Sequence, residues 1–128
     1  MISPTGKGVR SDSWGDGHYG APRGDRTHKG TDYICIPGQP VYSPITGTAL
    51  RVAKPYDGPY SGIMIQGKHV AVKLFYLLPT FDLIGKPVKQ GQPLGIAQDI
   101  SLKYSPDMIP HIHLEIDSLD PEIFVRML

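Results

Sequence analysis

From residue 31 to residue 116 the chain is a succession of short apolar runs, most of them closed by glycine or proline. Thr31–Ile36 stops at Pro37-Gly38, and Pro40–Tyr42 leads into Ser43-Pro44. Gly47–Ala53 alternates around Ala49, Arg51 and Ala53 and ends before Pro55. Gly62–Gln66 and His69–Leu78 predict a hairpin across Gly67-Lys68. Pro87–Val88 and Leu94–Ala97 flank the turn Lys89-Gln90-Gly91-Gln92, and His111–Ile116 alternates polar and apolar residues strictly. Runs this short, punctuated this often, exclude long helices before residue 120. The pattern predicts an all-β, antiparallel architecture of short hairpins, with one helical turn in the tail Pro121–Leu128. Residues 1–27 carry Gly8, Gly15, Gly17, Gly20 and Gly24 without any period, which predicts an irregular glycine-rich arm. With no internal repeat and no second composition regime, 128 residues make one domain: arm 1–27, core 28–116, tail 117–128.

Composition narrows the function classes. Lys and Arg total 13 against 12 Asp and Glu, so no concentrated basic face argues for nucleic acid. The local excess of Arg10, Arg23, Arg26 and Lys29 reads as solvated loop charge. A lone cysteine, Cys35, excludes an internal disulfide and, set in Tyr33-Ile34-Cys35-Ile36, reads as a buried, inert thiol. No stretch reaches the ~18 apolar residues of a spanning helix. The first thirty residues show no apolar core of a secretory signal, so action outside a cell would need another route of delivery, such as a phage particle.

The strongest chemical signal is Pro110-His111-Ile112-His113-Leu114-Glu115-Ile116. On a strand, His111, His113 and Glu115 share one face, while Ile112, Leu114 and Ile116 share the other. A second signal is His28-Lys29-Gly30-Thr31-Asp32, which offers one nitrogen and one oxygen donor acceptable to zinc, with Gly30 permitting a tight turn between them. Two histidines and one carboxylate leave one position of a tetrahedral zinc for water, the pattern of a catalytic site. Glu115 shares the face of His113, where it either orients a ligand from behind or stands as a surface carboxylate. His69 reads as a turn residue and His18 as a loop histidine. Among Tyr19, Tyr33, Tyr42, Tyr56 and Tyr60, packing accounts for most, and a peptide groove is the alternative.

These residues resemble the lysostaphin-type (LytM-like) zinc endopeptidases, a family that cuts peptide stems and cross-bridges of bacterial peptidoglycan. The matching blocks are Arg26–Tyr33, Gly38–Pro44 with Gly47, Gly85–Gly95 and Pro110–Glu115, in the family's order. The resemblance implies His28, Asp32 and His113 as zinc ligands and His111 as the catalytic histidine. One block departs. Where the family usually carries a second catalytic histidine, this chain has Val72-Lys73-Leu74-Phe75-Tyr76-Leu77-Leu78-Pro79, and an ungapped count from Gly85 puts Tyr76 at that position. The Phe-Tyr segment resembles the sub-branch of leukocyte cell-derived chemotaxin, which keeps the zinc site and is regarded as lacking peptidase activity. Chemically, His111 can serve as general base and Tyr76 as a hydrogen-bond donor to an oxyanion. The leading expectation is therefore a zinc endopeptidase on peptidoglycan or another peptide, with a phage or cell-envelope assembly as the kind of partner that would deliver it. A zinc-containing binding module of the same fold is the alternative. A biotinyl- or lipoyl-type carrier, suggested by the turn in Gly85–Gly95, lacks a displayed lysine motif.

Overall fold

The computed structural model describes residues 1–18, 22–23, 26–27 and 30–119. His28, Tyr19 and the expected helical turn at 121–128 lie outside the described residues. The strands in chain order are β1 (Ser11–Asp12), β2 (Gly15–Asp16), β3 (Pro22–Arg23), β4 (Arg26–Thr27), β5 (Thr31–Ile34), β6 (Pro40–Tyr42) and β7 (Gly47–Val52). They continue as β8 (Gly62–Gly67), β9 (Val70–Phe75), β10 (Leu77–Pro79), β11 (Pro87–Val88), β12 (Pro93–Ala97) and β13 (His111–Leu119). Two 3-10 turns, Phe81–Leu83 and Ile100–Leu102, are the only helical pieces among the described residues. The fold is β-rich, and every strand pair is antiparallel.

A six-stranded sheet runs in the order β11-β7-β8-β9-β13-β5, and a three-stranded sheet runs β10-β12-β6. Their facing sides enclose one apolar core that contains Ile63 and Ile65 of β8, Val72 and Leu74 of β9, and Ile112 and Leu114 of β13. The smaller sheet contributes Val41, Leu77, Leu94 and Ala97. Each fully buried Ile, Leu or Val stabilises the fold by roughly 1.5–3 kcal/mol relative to exposure. β8 and β9 are covered on both faces: Met64, Ala71 and Phe75 point away from that core into a second cluster with Ala53, under Tyr76. This second face of the large sheet carries the histidines.

The strand pattern read from the sequence is close to the one observed, with four departures. The run His69–Leu78 is broken. Val70 begins the strand after the turn at Lys68-His69, and Tyr76 adopts a positive φ of 76°, which redirects the chain from the large sheet into the small one. The amides of Tyr76 and Leu77 both donate to the Ser61 carbonyl at that corner. The arm is not wholly irregular, because β1 pairs with β2 and β3 with β4. β13 extends past residue 116 to Leu119 through a register shift between Ile116 and Ser118. Ile116, expected beside Ile112 and Leu114 in the core, is exposed. Cys35 is buried and free. No helix among the described residues is long and apolar enough to cross a membrane.

Candidate metal and catalytic site

Register brings the polar residues together. In the β5–β13 ladder His113 lies opposite Asp32, and in the β13–β9 ladder it lies opposite Phe75. Because side chains alternate, Ile112 and Leu114 enter the core while His111, His113 and Glu115 emerge on the other face. The His113 ring stacks on Phe75, with centroids 5.9 Å apart and planes 13° from parallel. Behind His113 the chain passes at Gly30. A Cβ there would sit 2.7 Å from His113 Nε2 and closer still to the Leu114 carbonyl, so only glycine fits.

Both nitrogens of His113 face carboxylates. Nδ1 donates to Asp32 Oδ1 at 2.8 Å, and Nε2 is 3.0 Å from Glu115 Oε1. Burial works against the protonated ring, but the Asp32 and Glu115 carboxylates outweigh it and hold the His113 pKa above its ordinary value. His111 is held differently. Its Nδ1 donates to the Ile109 carbonyl at 2.8 Å, and its Nε2 lies 3.6 Å from Asp32 Oδ2. Burial dominates here and lowers the His111 pKa, Asp32 opposing. The neutral ring, with its hydrogen fixed on Nδ1, presents the Nε2 lone pair to Asp32 and the adjoining cavity.

That cavity, about 290 Å³, is lined by Arg10, Trp14, Asp32, Tyr76, Tyr104 and His111 among others. The Tyr76 ring meets His111 edge-on at 5.6 Å. Its backbone is clamped by the Ser61 carbonyl and the Gln98 amide, which hold the sparsely populated positive φ. Burial, reinforced by the neighbouring Tyr56, Tyr104 and Asp32, pushes the Tyr76 hydroxyl far above an ordinary phenol. It can donate a hydrogen bond but is not a base. Tyr56 and Tyr60 stand behind it, Tyr60 edge-on to Tyr76 at 5.9 Å. The Tyr56 hydroxyl is buried and makes no hydrogen bond of good geometry among the described residues.

The structure thus brings Asp32, His111, His113, Glu115 and Tyr76 to one place, and His28 lies outside the described residues. Among the described residues no group of three or more His, Cys, Asp or Glu side chains is arranged to hold a metal ion. The two described members of the expected ligand set do suit one. Asp32 Oδ1 and His113 Nδ1 converge to 2.8 Å, and a bound cation would take the place of the proton they share. The sequence reading missed Arg10. Expected as solvated loop charge, it is 3% exposed and pairs with Asp32 at 3.0 Å and Asp12 at 2.9 Å. Its partner lies 22 residues away, beyond any local pattern. Trp14 and Tyr104, centroids 5.8 Å apart, also line the cavity and were not anticipated.

Comparison with known proteins fixes the lineage. The chain is 36% identical over 118 residues to leukocyte cell-derived chemotaxin-2 of Mus musculus, covering 89% of this chain and 76% of that protein. The chain belongs to the lysostaphin-type peptidase family, in the chemotaxin-2 branch. No family model matches it. Among solved structures, the antimicrobial peptidase lysostaphin from Staphylococcus simulans has the same fold, with a TM-score of 0.64 at 23% identity, over 98% of this chain and 53% of that one. A zinc containing peptidase from Vibrio cholerae matches with a TM-score of 0.58 at 26% identity, over 89% of this chain and 35% of that one. The chain therefore spans about half of the solved lysostaphin chain and about a third of the Vibrio peptidase.

Proposed function

We propose that this member of the family is a zinc-dependent endopeptidase domain that hydrolyses peptide bonds in bacterial peptidoglycan stems or cross-bridges. The observation that carries the reading is the state of His111: its Nδ1 hydrogen is committed to the Ile109 carbonyl, and its Nε2 lone pair lies 3.6 Å from Asp32 beside His113. His28, Asp32 and His113 would hold the ion, and Glu115 would fix the His113 ring through Nε2. Zinc, when bound, supplies a water of lowered pKa and polarises the peptide carbonyl. His111 Nε2 takes the proton of the attacking water and returns it to the leaving amine. Tyr76 donates its hydroxyl hydrogen to the oxygen that gains charge. Phe75 stacks on the His113 ring, and the absence of a side chain at Gly30 leaves the ring its place.

Metal-replete protein is incubated with purified peptidoglycan, and the released peptides are identified by mass. New amino termini that disappear in His111→Ala support hydrolysis. A second reading, a zinc-containing binding module, is favoured by Tyr76, which stands where a second histidine is expected and cannot act as a base. Retained zinc and peptide binding, with no cleavage across several wall chemistries, selects that reading over the first.

A further inference from the structure

Asp32 is 2% exposed, and its two oxygens have different neighbours. Oδ1 faces His113 Nδ1, whereas Oδ2 accepts from Arg10 Nε at 3.3 Å and Nη2 at 3.0 Å. The guanidinium has little room to leave. Its Nη1 donates to Asp12 Oδ1 at 2.9 Å and to the Gly15 carbonyl at 3.4 Å. Asp12 is fixed in turn, because Oδ1 accepts the Trp14 amide at 2.7 Å and Oδ2 the Ile109 amide at 2.8 Å. The backbone repeats the constraint. The Arg10 amide donates to the Asp32 carbonyl, the Asp32 amide to the Gly17 carbonyl, and the Gly17 amide to the Arg10 carbonyl.

A carboxylate chelates one ion with both oxygens only if both are available to it. Arginine's planar fork is suited to holding one of them, since its donors are set in a rigid array. We propose that Arg10 is a positioning residue that restricts Asp32 to ligation through Oδ1 alone. The proposal rests on the reading of Asp32 as a metal ligand. It gives the N-terminal hairpin β1–β2 a role: through Arg10 it sets Asp32, and through Asp12 and Ile109 it reaches the carbonyl that holds His111 Nδ1.

The test uses the full chain stripped of metal and titrated with cobalt(II), whose visible absorption per bound ion reports coordination number. Wild type is expected to show the intense bands of a four-coordinate ion. Arg10→Met removes the two guanidinium donors from Oδ2, leaving His111 Nε2 3.6 Å away, so the bands should weaken several-fold per bound cobalt as Asp32 chelates. If Arg10→Met does not fold, Arg10→Lys replaces it, because an ammonium lacks the fork that directs two nitrogens to one oxygen, and the same weakening is expected. Melting of the metal-free proteins is recorded in parallel. A merely structural role would lower the melting temperature and leave band intensity unchanged, and that result overturns the proposal. Weak, five-coordinate bands already present in wild type also overturn it. If wild type binds no cobalt, the metal-site reading itself fails, and this proposal fails with it.

Discussion

At the scale of single residues, Tyr76 combines a strained backbone with a hydroxyl that holds its proton. Its positive φ is a conformation a bulky side chain adopts only when its surroundings impose it, at a cost of order 1–3 kcal/mol. Its hydroxyl, raised by burial, keeps its proton over the whole working range and is therefore a permanent donor. If hydrolysis occurs, Tyr76→Phe should lower kcat by about 10²–10³-fold, the usual effect of removing one oxyanion donor. KM and zinc content should be unchanged, and steady-state kinetics with a metal assay read all three. Cys35 makes the contrasting case. Burial pushes its thiol up to about 12, so almost no thiolate exists at neutral pH. An aromatic disulfide reagent at pH 8 should leave Cys35 unmodified in the folded chain and label one equivalent on unfolding; rapid labelling of native protein would contradict the burial.

At the scale of elements, the strands between residues 31 and 97 other than β9 and β10 were legible because they are bounded by turn residues whose backbone preference is local. The His111–Glu115 face was legible for a similar reason, since the period of two fixes which side chains emerge together. The break at Tyr76 was not legible. A run from Val70 to Leu78 that is apolar but for Lys73 gives no hint that its two ends belong to different sheets, and the corner is set by the distant Ser61 carbonyl. Arg10 was misread for the same kind of reason, because its burial depends on Asp32 and Asp12 converging across the fold. Gly30 tests how closely β5 and β13 must approach. Gly30→Ala forces a methyl group into the His113 ring and the Leu114 carbonyl. If the site holds zinc as proposed, its affinity should fall at least about tenfold, the lower range for disturbing the surroundings of a ligand. Chelator competition measures it, and an unchanged affinity would mean that His113 has more room than its neighbours allow.

At the scale of the whole molecule, the N-terminal hairpin is joined to the sheet core by buried charge, and this ties stability to pH. The Asp12 side chain is largely covered, which by itself would raise its pKa, but the Ile109 and Trp14 amides and the Arg10 guanidinium outweigh burial and hold it below its ordinary value. A carboxyl whose folded pKa lies below its unfolded one stabilises the fold fully above the unfolded value, about 3.9 for aspartate, and loses that contribution as pH falls through the folded value. Asp12→Asn keeps the shape and removes the charge. Urea midpoints measured from pH 2 to pH 7 should therefore show wild type more stable than the variant by a constant margin above about pH 5, where the unfolded carboxyl is ionised. Below about pH 4 the margin should shrink steadily, because the wild-type carboxyl takes up the proton that the amide never carried. A margin that stays the same at every pH would show that the substitution costs only hydrogen-bond geometry. It would also mean that the charge linking Arg10 to the approach of β13 contributes nothing to holding the arm in place.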